Sequence, residues 1–274
     1  MSIKLTFLGS GPAIAIPRTG CRCKTCQGAR KPRSRSRRSR SSALINFHGK
    51  DILIDAGPDI PEQFEAARLK RPDAVLLTHA HFDAAGGVDI LASILREKEE
   101  KPFALYAEPA VLKRILKIST LFHARPKTIL RNIIPKPVKP YLPFSLFGIK
   151  VAPLRVAHAL TAGFPTVGYL FGKDFAYISD FAKIPEKSLK TLKGTKVLIF
   201  DATMWFGTRM AAHQNIEQTI LLAQKLGARK LYLTQIGHNY PPHDVAQREI
   251  NKYCKKQKIT FPVILAYDEM RIKV

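Results

Sequence analysis

The first 50 residues contain twelve Lys or Arg and not one acidic side chain. Their positive field has no near compensation in the sequence, and such a field attracts polyanions. The chain also lacks any apolar run approaching the roughly 18 residues needed to span a bilayer. Its opening, MSIKLTFLGSG, has no charged segment followed by a long apolar stretch. These absences argue against a membrane partner and predict a cytoplasmic location. Cysteine is scarce too: there are four, three of them within Cys21–Cys26. That arrangement excludes a secreted disulfide scaffold, and its short spacing favours metal binding in a reducing compartment. No repeat or low-complexity tail interrupts the chain.

What is present is enough for a sizeable core. With 274 residues and 46% apolar content, the chain reads as one globular domain over residues 1–274, carrying a basic, Cys-rich loop at about 18–42. The net charge is +24, and Arg30–Arg40, RKPRSRSRRSR, is its densest basic run. Such density suits nucleic acid or a phosphate-bearing substrate, and it equally suits a solvated loop in a basic protein. No aromatic interleaves the run, so a base-stacking platform is not supported there.

Apolar patterning predicts strands at Ile3–Leu8, Ala43–Phe47, Asp51–Asp55, Ala74–Leu77, Phe103–Tyr106, Ile149–Pro153, Val167–Phe171, Ala176–Ser179, Val197–Phe200, Leu231–Thr234 and Val263–Ala266. Helices are predicted at Pro61–Lys70, Val88–Arg96, Pro109–Ser119, Pro185–Leu192, Asn215–Leu226 and Asp244–Lys256. Residues Cys21–Arg40 read as loop, and Arg125–Pro143, with five prolines, as an irregular connection. Strands interspersed with single helices suggest sheets between helical layers. Several strands end in a polar residue, at Thr78–His79, Asp180, Asp201 and Thr234–Gln235, as a site on one rim of the sheets requires.

The chemistry concentrates in Leu76–Gly87, LLTHAHFDAAGG. His79, His81 and Asp83 alternate just past an apolar run, where a tight turn lets side chains converge on one ion. Neutral imidazoles and carboxylates are donors that borderline cations select.

HxHxD after a strand resembles the signature of the metallo-β-lactamase fold, whose hydrolases usually carry HxHxDH and hold two metals. The resemblance implies an α/β architecture, an αββα sandwich. It places a third histidine at His158 and a bridging aspartate at Asp180, so that His79, His81, His158 and Asp180 would hold one divalent ion, zinc, manganese or iron. GSGPAIAIPRTGCRCKTC, the Ser179–Asp180 pair and LTQIGH at 233–238 sharpen the likeness towards the branch of phosphodiesterases that open phosphoribosyl cyclic phosphate. That branch carries an additional structural zinc, whose ligands fall here on Cys21, Cys23, Cys26 and His238. Cys254 is left out, as inert packing in a helical pattern.

The likeness breaks at the second metal. Ala84 and Gln235 stand where the family has two histidines, so that site loses two of its four protein donors, and a single catalytic ion is expected. Asp83, released from metal duty, could orient or deprotonate water. His213 falls where the related phosphodiesterases keep a non-metal catalytic histidine, suited to binding phosphate or protonating the leaving group. His48, His123 and His243 match no role. The leading expectation is a metal-dependent hydrolase of a phosphodiester or other anionic substrate, a nucleotide or nucleic acid included, with a homo-oligomer compatible. The alternatives are a nucleic-acid-binding protein with a degenerate centre and a mononuclear iron oxygenase on the same scaffold.

Overall fold

A computed structural model describes residues 3–122, 130–158, 164–208 and 210–274. Two seven-stranded sheets account for the described strands. In the first, β1 (Lys4–Gly9), β2 (Ser42–Phe47), β3 (Lys50–Ile54), β4 (Ala74–Leu76), β5 (Phe103–Ala107) and β6 (Ile133–Pro137) follow one another, with β14 (Arg271–Lys273) on the outer side of β1. The second runs β13 (Val263–Leu265), β12 (Lys230–Thr234), β11 (Val197–Asp201), β10 (Phe175–Ile178), β9 (Val167–Phe171), β8 (Ile149–Arg155) and β7 (Phe144–Leu146).

Alternation along the strands builds the layers. On β11, Ile199 faces the opposing sheet while Leu198 and Phe200 face outward, yet all three are buried. On β4, Leu76 faces inward and Val75 outward. Leu5, Phe7, Ile45 and Ile54 meet Val151, Tyr169, Tyr177 and Tyr232 between the sheets. The outer faces are covered by helices. α2 (Ile60–Ala67), α4 (Val88–Glu97) and α5 (Pro109–Phe122) lie on the first sheet, and α6 (Glu186–Leu192), α7 (Ile216–Leu226) and α8 (His243–Lys256) on the second. Strands buried on both faces lose the polar alternation of a one-sided sheet, which is why they read as short continuous apolar runs. The expected αββα sandwich is the observed fold.

Two stretches read as loop contain regular structure. α1 (Lys24–Ala29) forms inside the basic loop, capped by Cys23, whose sulfur accepts from the Cys26 amide. β6 lies inside the proline-rich connection, paired parallel to β5 at the border of its sheet. Pro135 and Pro137 lack the amide donor of an inner strand, so they are tolerated only there. β7, β14 and the one-turn helix α3 (Phe82–Ala85) carry too few residues for a periodic signal. His123 lies outside the described residues. No helix among the described residues is long and apolar enough to cross a membrane.

Candidate metal centre

β3 and β4 run parallel, as do β10, β11 and β12, so their carboxyl ends share a rim. Asp55, His79, Asp180 and Gln235 follow such ends, and Asp201 is the last residue of β11. β8 contributes His158 three residues past its last member. The sheets are stitched together at this rim: the Val167 amide donates to the Thr78 carbonyl at 2.9 Å and the Tyr169 hydroxyl to the Leu77 carbonyl at 2.7 Å.

The turn that carries His79, His81 and Asp83 is pressed against the chain leaving β3. The Ala56 amide donates to the Ala84 carbonyl at 2.7 Å and the Gly87 amide to the Ala56 carbonyl at 2.8 Å. A β-carbon at Gly57 would overlap the Asp83 carbonyl oxygen, and one at Gly87 the Gly57 carbonyl oxygen, so two glycines make this approach sterically feasible.

His79 is fully buried. The Thr78 hydroxyl donates to the Asp55 carboxylate at 2.9 Å, which leaves its oxygen to accept the Nδ1 proton of His79 at 2.8 Å. The opposite nitrogen, Nε2, is then an unprotonated donor, and it is buried without a hydrogen-bond partner. His158 is oriented alike: its Nδ1 donates to the Ala212 carbonyl at 3.1 Å, and its Nε2 lies 3.2 Å from His81 Nδ1. Ligand atoms of His79, His81 and His158 all fall within 4.8 Å of one another. Three nitrogen lone pairs turned towards one another are mutually repulsive without a shared cation or proton, so this donor set fits a borderline divalent ion. Burial lowers His79 to about 3 and also depresses His81, which keeps both imidazoles neutral and able to ligate.

Asp180 joins a second group, with His158 and His213. Its Oδ1 is 3.9 Å from His158 Nε2. Burial alone would raise its carboxyl, yet the imidazoles of His79, His158 and His213 hold it below the ordinary carboxylate range. An ionised carboxylate can only accept, and its Oδ2 takes the Gln235 side-chain N–H at 2.6 Å. Gln235 sits in the left-handed region at φ 63°, as does Asp55 at φ 60°, so two of the rim positions carry locally unfavourable backbone. Burial, followed by the Asp180 charge, raises Asp83 to about 6.

His213 precedes α7, whose start is fixed by reciprocal bonds between Asn215 and Gln218. Its Nδ1 donates to Asp201 Oδ2 at 2.7 Å. Burial would depress this imidazole, but the Asp201 charge and hydrogen bond outweigh it and raise His213 to about 9. Asp201 also accepts from the Thr203 amide at 2.8 Å and hydroxyl at 2.7 Å.

At the other end of the basic loop, Cys21, Cys23 and Cys26 converge on His238, with Sγ to Nδ1 separations of 3.5, 3.9 and 3.9 Å. Three thiols and one imidazole fit a closed tetrahedral zinc set. Cys254 lies apart, half-buried against the outer core, and burial raises its thiol. His48 and His243 join neither cluster. The arginine run is less free than its sequence suggests. Arg38 is buried, bonded to the Ser10 hydroxyl at 2.6 Å and to His243 Nδ1 at 3.1 Å, while Arg40 pairs with Asp59 at 2.7 Å. Lys31, Arg33, Arg35 and Arg37 remain exposed.

Sequence reasoning singled out neither Asp55 and Thr78, which orient His79, nor Asp201 as the partner of His213. Asp201 was accessible as a carboxylate at a strand end, whereas Asp55 reaches Thr78 only through the pairing of β3 with β4.

Residues 50–236 match the family model of the Beta-lactamase superfamily domain. The sequence is 33% identical over 242 residues to an octanoyltransferase of Porphyromonas gingivalis, a match that takes in 88% of this chain but 47%, about half, of that longer relative. It is 32% identical over 224 residues to the coenzyme PQQ synthesis protein B of Methylorubrum extorquens, covering 73% of each. Among solved structures, a diphosphatase from the PhnP family superposes with a TM-score of 0.83 at 30% identity, over 100% of this chain and 98% of the other.

Proposed function

Because the chain belongs to the beta-lactamase superfamily, we propose that it is a metal-dependent hydrolase of phosphodiesters or kindred anionic esters, working with a single catalytic ion. The observation that carries this reading is His79 Nε2, an unprotonated, buried donor atom without a partner, grouped with ligand atoms of His81 and His158. Asp180 would complete the set through Oδ1. When bound there, a divalent ion supplies Lewis acidity, polarising a phosphoryl oxygen and easing deprotonation of water.

The chain's own groups divide the remaining work. Asp83, at about 6, is ionised at neutral pH and suited to orient a water and accept its proton. His213, held protonated by Asp201, can bind the phosphoryl group or deliver a proton to the departing oxygen. Both groups are raised together, so that one carboxylate and one imidazolium stand side by side at neutral pH, as a base and an acid require. Gln235 ties up the Asp180 oxygen that a second ion would need, and Ala84 offers no donor, which supports one ion and not two. The Cys21, Cys23, Cys26 and His238 cluster would hold a structural zinc that fastens the basic loop to the segment after β12. The diphosphatase at 30% identity supports a phosphate-bearing substrate.

Metal content of the untreated protein and hydrolysis of an aryl phosphodiester test this together. One catalytic ion beside the structural zinc is expected, with turnover lost in His79→Ala. Turnover that survives His79→Ala would overturn the proposed centre.

A further inference from the structure

α5 begins where β5 reaches the rim, one strand away from the turn that carries His79 and His81. Its base is anchored across the two sheets. Glu108, buried immediately before α5, pairs with Arg155 at the end of β8 through two bonds of 2.6 Å each. β8 then leads directly to His158, so this ion pair sets α5 at a fixed place relative to the histidine cluster. Arg114 lies in the second turn of α5 and is exposed.

The Arg114 guanidinium does not point at an acid. Its carbon sits 5.3 Å from the ring centroid of Phe164, a cation–π distance. Phe164 in turn stacks on His81, with centroids 4.3 Å apart and planes at 22°, and meets His79 edge-on at 6.1 Å. The order is therefore imidazole, phenyl, guanidinium, a short pile that begins on a metal-binding candidate and ends on a positive charge. Arg114 makes no ion pair with a carboxylate among the described residues, whereas Arg38, Arg40 and Arg155 are each engaged.

We infer that Arg114, seated on Phe164 beside His81, is the specificity-determining anion clamp of this centre, receiving phosphoryl or carboxylate oxygens of the substrate that are not displaced. The inference deepens the proposed hydrolase reading by assigning a residue to substrate charge. A planar guanidinium presents two parallel N–H groups that match two oxyanion oxygens, and stacking on a ring limits the orientations it gives up on binding. A lysine ammonium at the same place offers neither feature, so Arg114→Lys discriminates a clamp from a general positive field.

The test uses the metal-loaded protein and inorganic phosphate as the probe. Phosphate affinity is measured by calorimetry for the parent, Arg114→Ala, Arg114→Lys and Lys113→Ala, the last an exposed neighbour outside the site. Arg114→Ala should weaken phosphate about 10-fold or more, the loss of a charge-assisted bidentate contact, while Lys113→Ala leaves it unchanged. Arg114→Lys should recover only part of the loss. With an aryl phosphodiester, KM should rise in Arg114→Ala while kcat stays near the parent value, and hydrolysis of an uncharged aryl ester should not change. Unaltered phosphate affinity in Arg114→Ala, or a parent that binds no phosphate, overturns the clamp even where phosphodiester turnover upholds the hydrolase. Conversely, affinity lost in Arg114→Ala without any parent turnover upholds the clamp and removes the hydrolase.

Discussion

The Gln235 side-chain amide donates to Asp180 Oδ2 at 2.6 Å, placing a neutral hydrogen-bond donor against a buried, ionised carboxylate. The bond gives that oxygen a hydrogen-bond partner, and in the proposed one-ion centre it stands where a second ion would otherwise bind. Restoring donors should reverse this. The double variant Ala84→His, Gln235→His is expected to raise catalytic-centre metal from one ion to two per chain, read by elemental analysis. Gln235→Ala alone should instead leave the count at one. A double variant that still binds one ion would discredit the ligand-loss explanation.

His213 depends on Asp201 for its charge. In its proposed role as an acid it acts while protonated, so activity should persist through neutral pH and fall as pH rises through about 9. Asp201→Asn removes the charge that opposes burial, and the alkaline limb of the kcat profile should shift down, towards or below the ordinary 6.5. His213→Ala should cost about 10²–10⁴-fold in kcat, the usual worth of general acid–base catalysis. An unchanged alkaline limb in Asp201→Asn would assign that limb to another group.

The cysteine cluster should govern the order of the basic loop. Cys26 is buried, and its neighbour Thr25 hydrogen-bonds the Tyr240 carbonyl, so the cluster ties residues 21–26 to residues 238–240. Cys26→Ala is expected to lose one zinc per chain, lower the melting temperature and speed tryptic cleavage at the already exposed Lys31, Arg33, Arg35 and Arg37 by loosening the loop. Cys254→Ala should keep its zinc. Retention of zinc by Cys26→Ala would place the structural ion elsewhere.

His243 makes part of the stability pH-dependent. Burial, then the Arg38 charge, lowers its imidazole from 6.5 to about 4. The folded state thus favours neutral His243: this contribution is fully present above pH 6.5 and is lost as pH falls through about 4. Asp268, which burial raises to about 6 despite its bonds to Ser10 and Ser39, works in the opposite sense, losing its contribution as pH rises from 3.8 through about 6. His243→Gln should therefore flatten the fall in melting temperature between pH 6.5 and 4. Asp268→Asn should steepen that fall, because the opposing group is gone. Parallel melting-temperature profiles for parent and His243→Gln would contradict the assignment.

The sequence alone determined the layers and the metal-binding vocabulary. Strands buried on both faces need short unbroken apolar runs, and those runs, with one helix between many of them, suggest sheets between helical layers, which the family resemblance names as an αββα sandwich. HxHxD and the CRCKTC cluster are legible because each puts most of its donors within a few residues of chain. Ala84 and Gln235 were readable as departures only against the pattern of the family that the chain resembles. What required tertiary structure was every relationship across strands. Asp55 orients His79 only because β3 pairs with β4, and Asp201 charges His213 only because the chain after β11 folds back to start α7. Arg38 and Arg40 read as part of a uniform basic run until burial separated them from their exposed neighbours, since sequence carries charge but not accessibility. Arg114 and Phe164, 50 positions apart, had no signal at all: a guanidinium stacked on a ring beside a histidine is set by the packing of α5 against the rim, and packing is decided only when the whole chain closes.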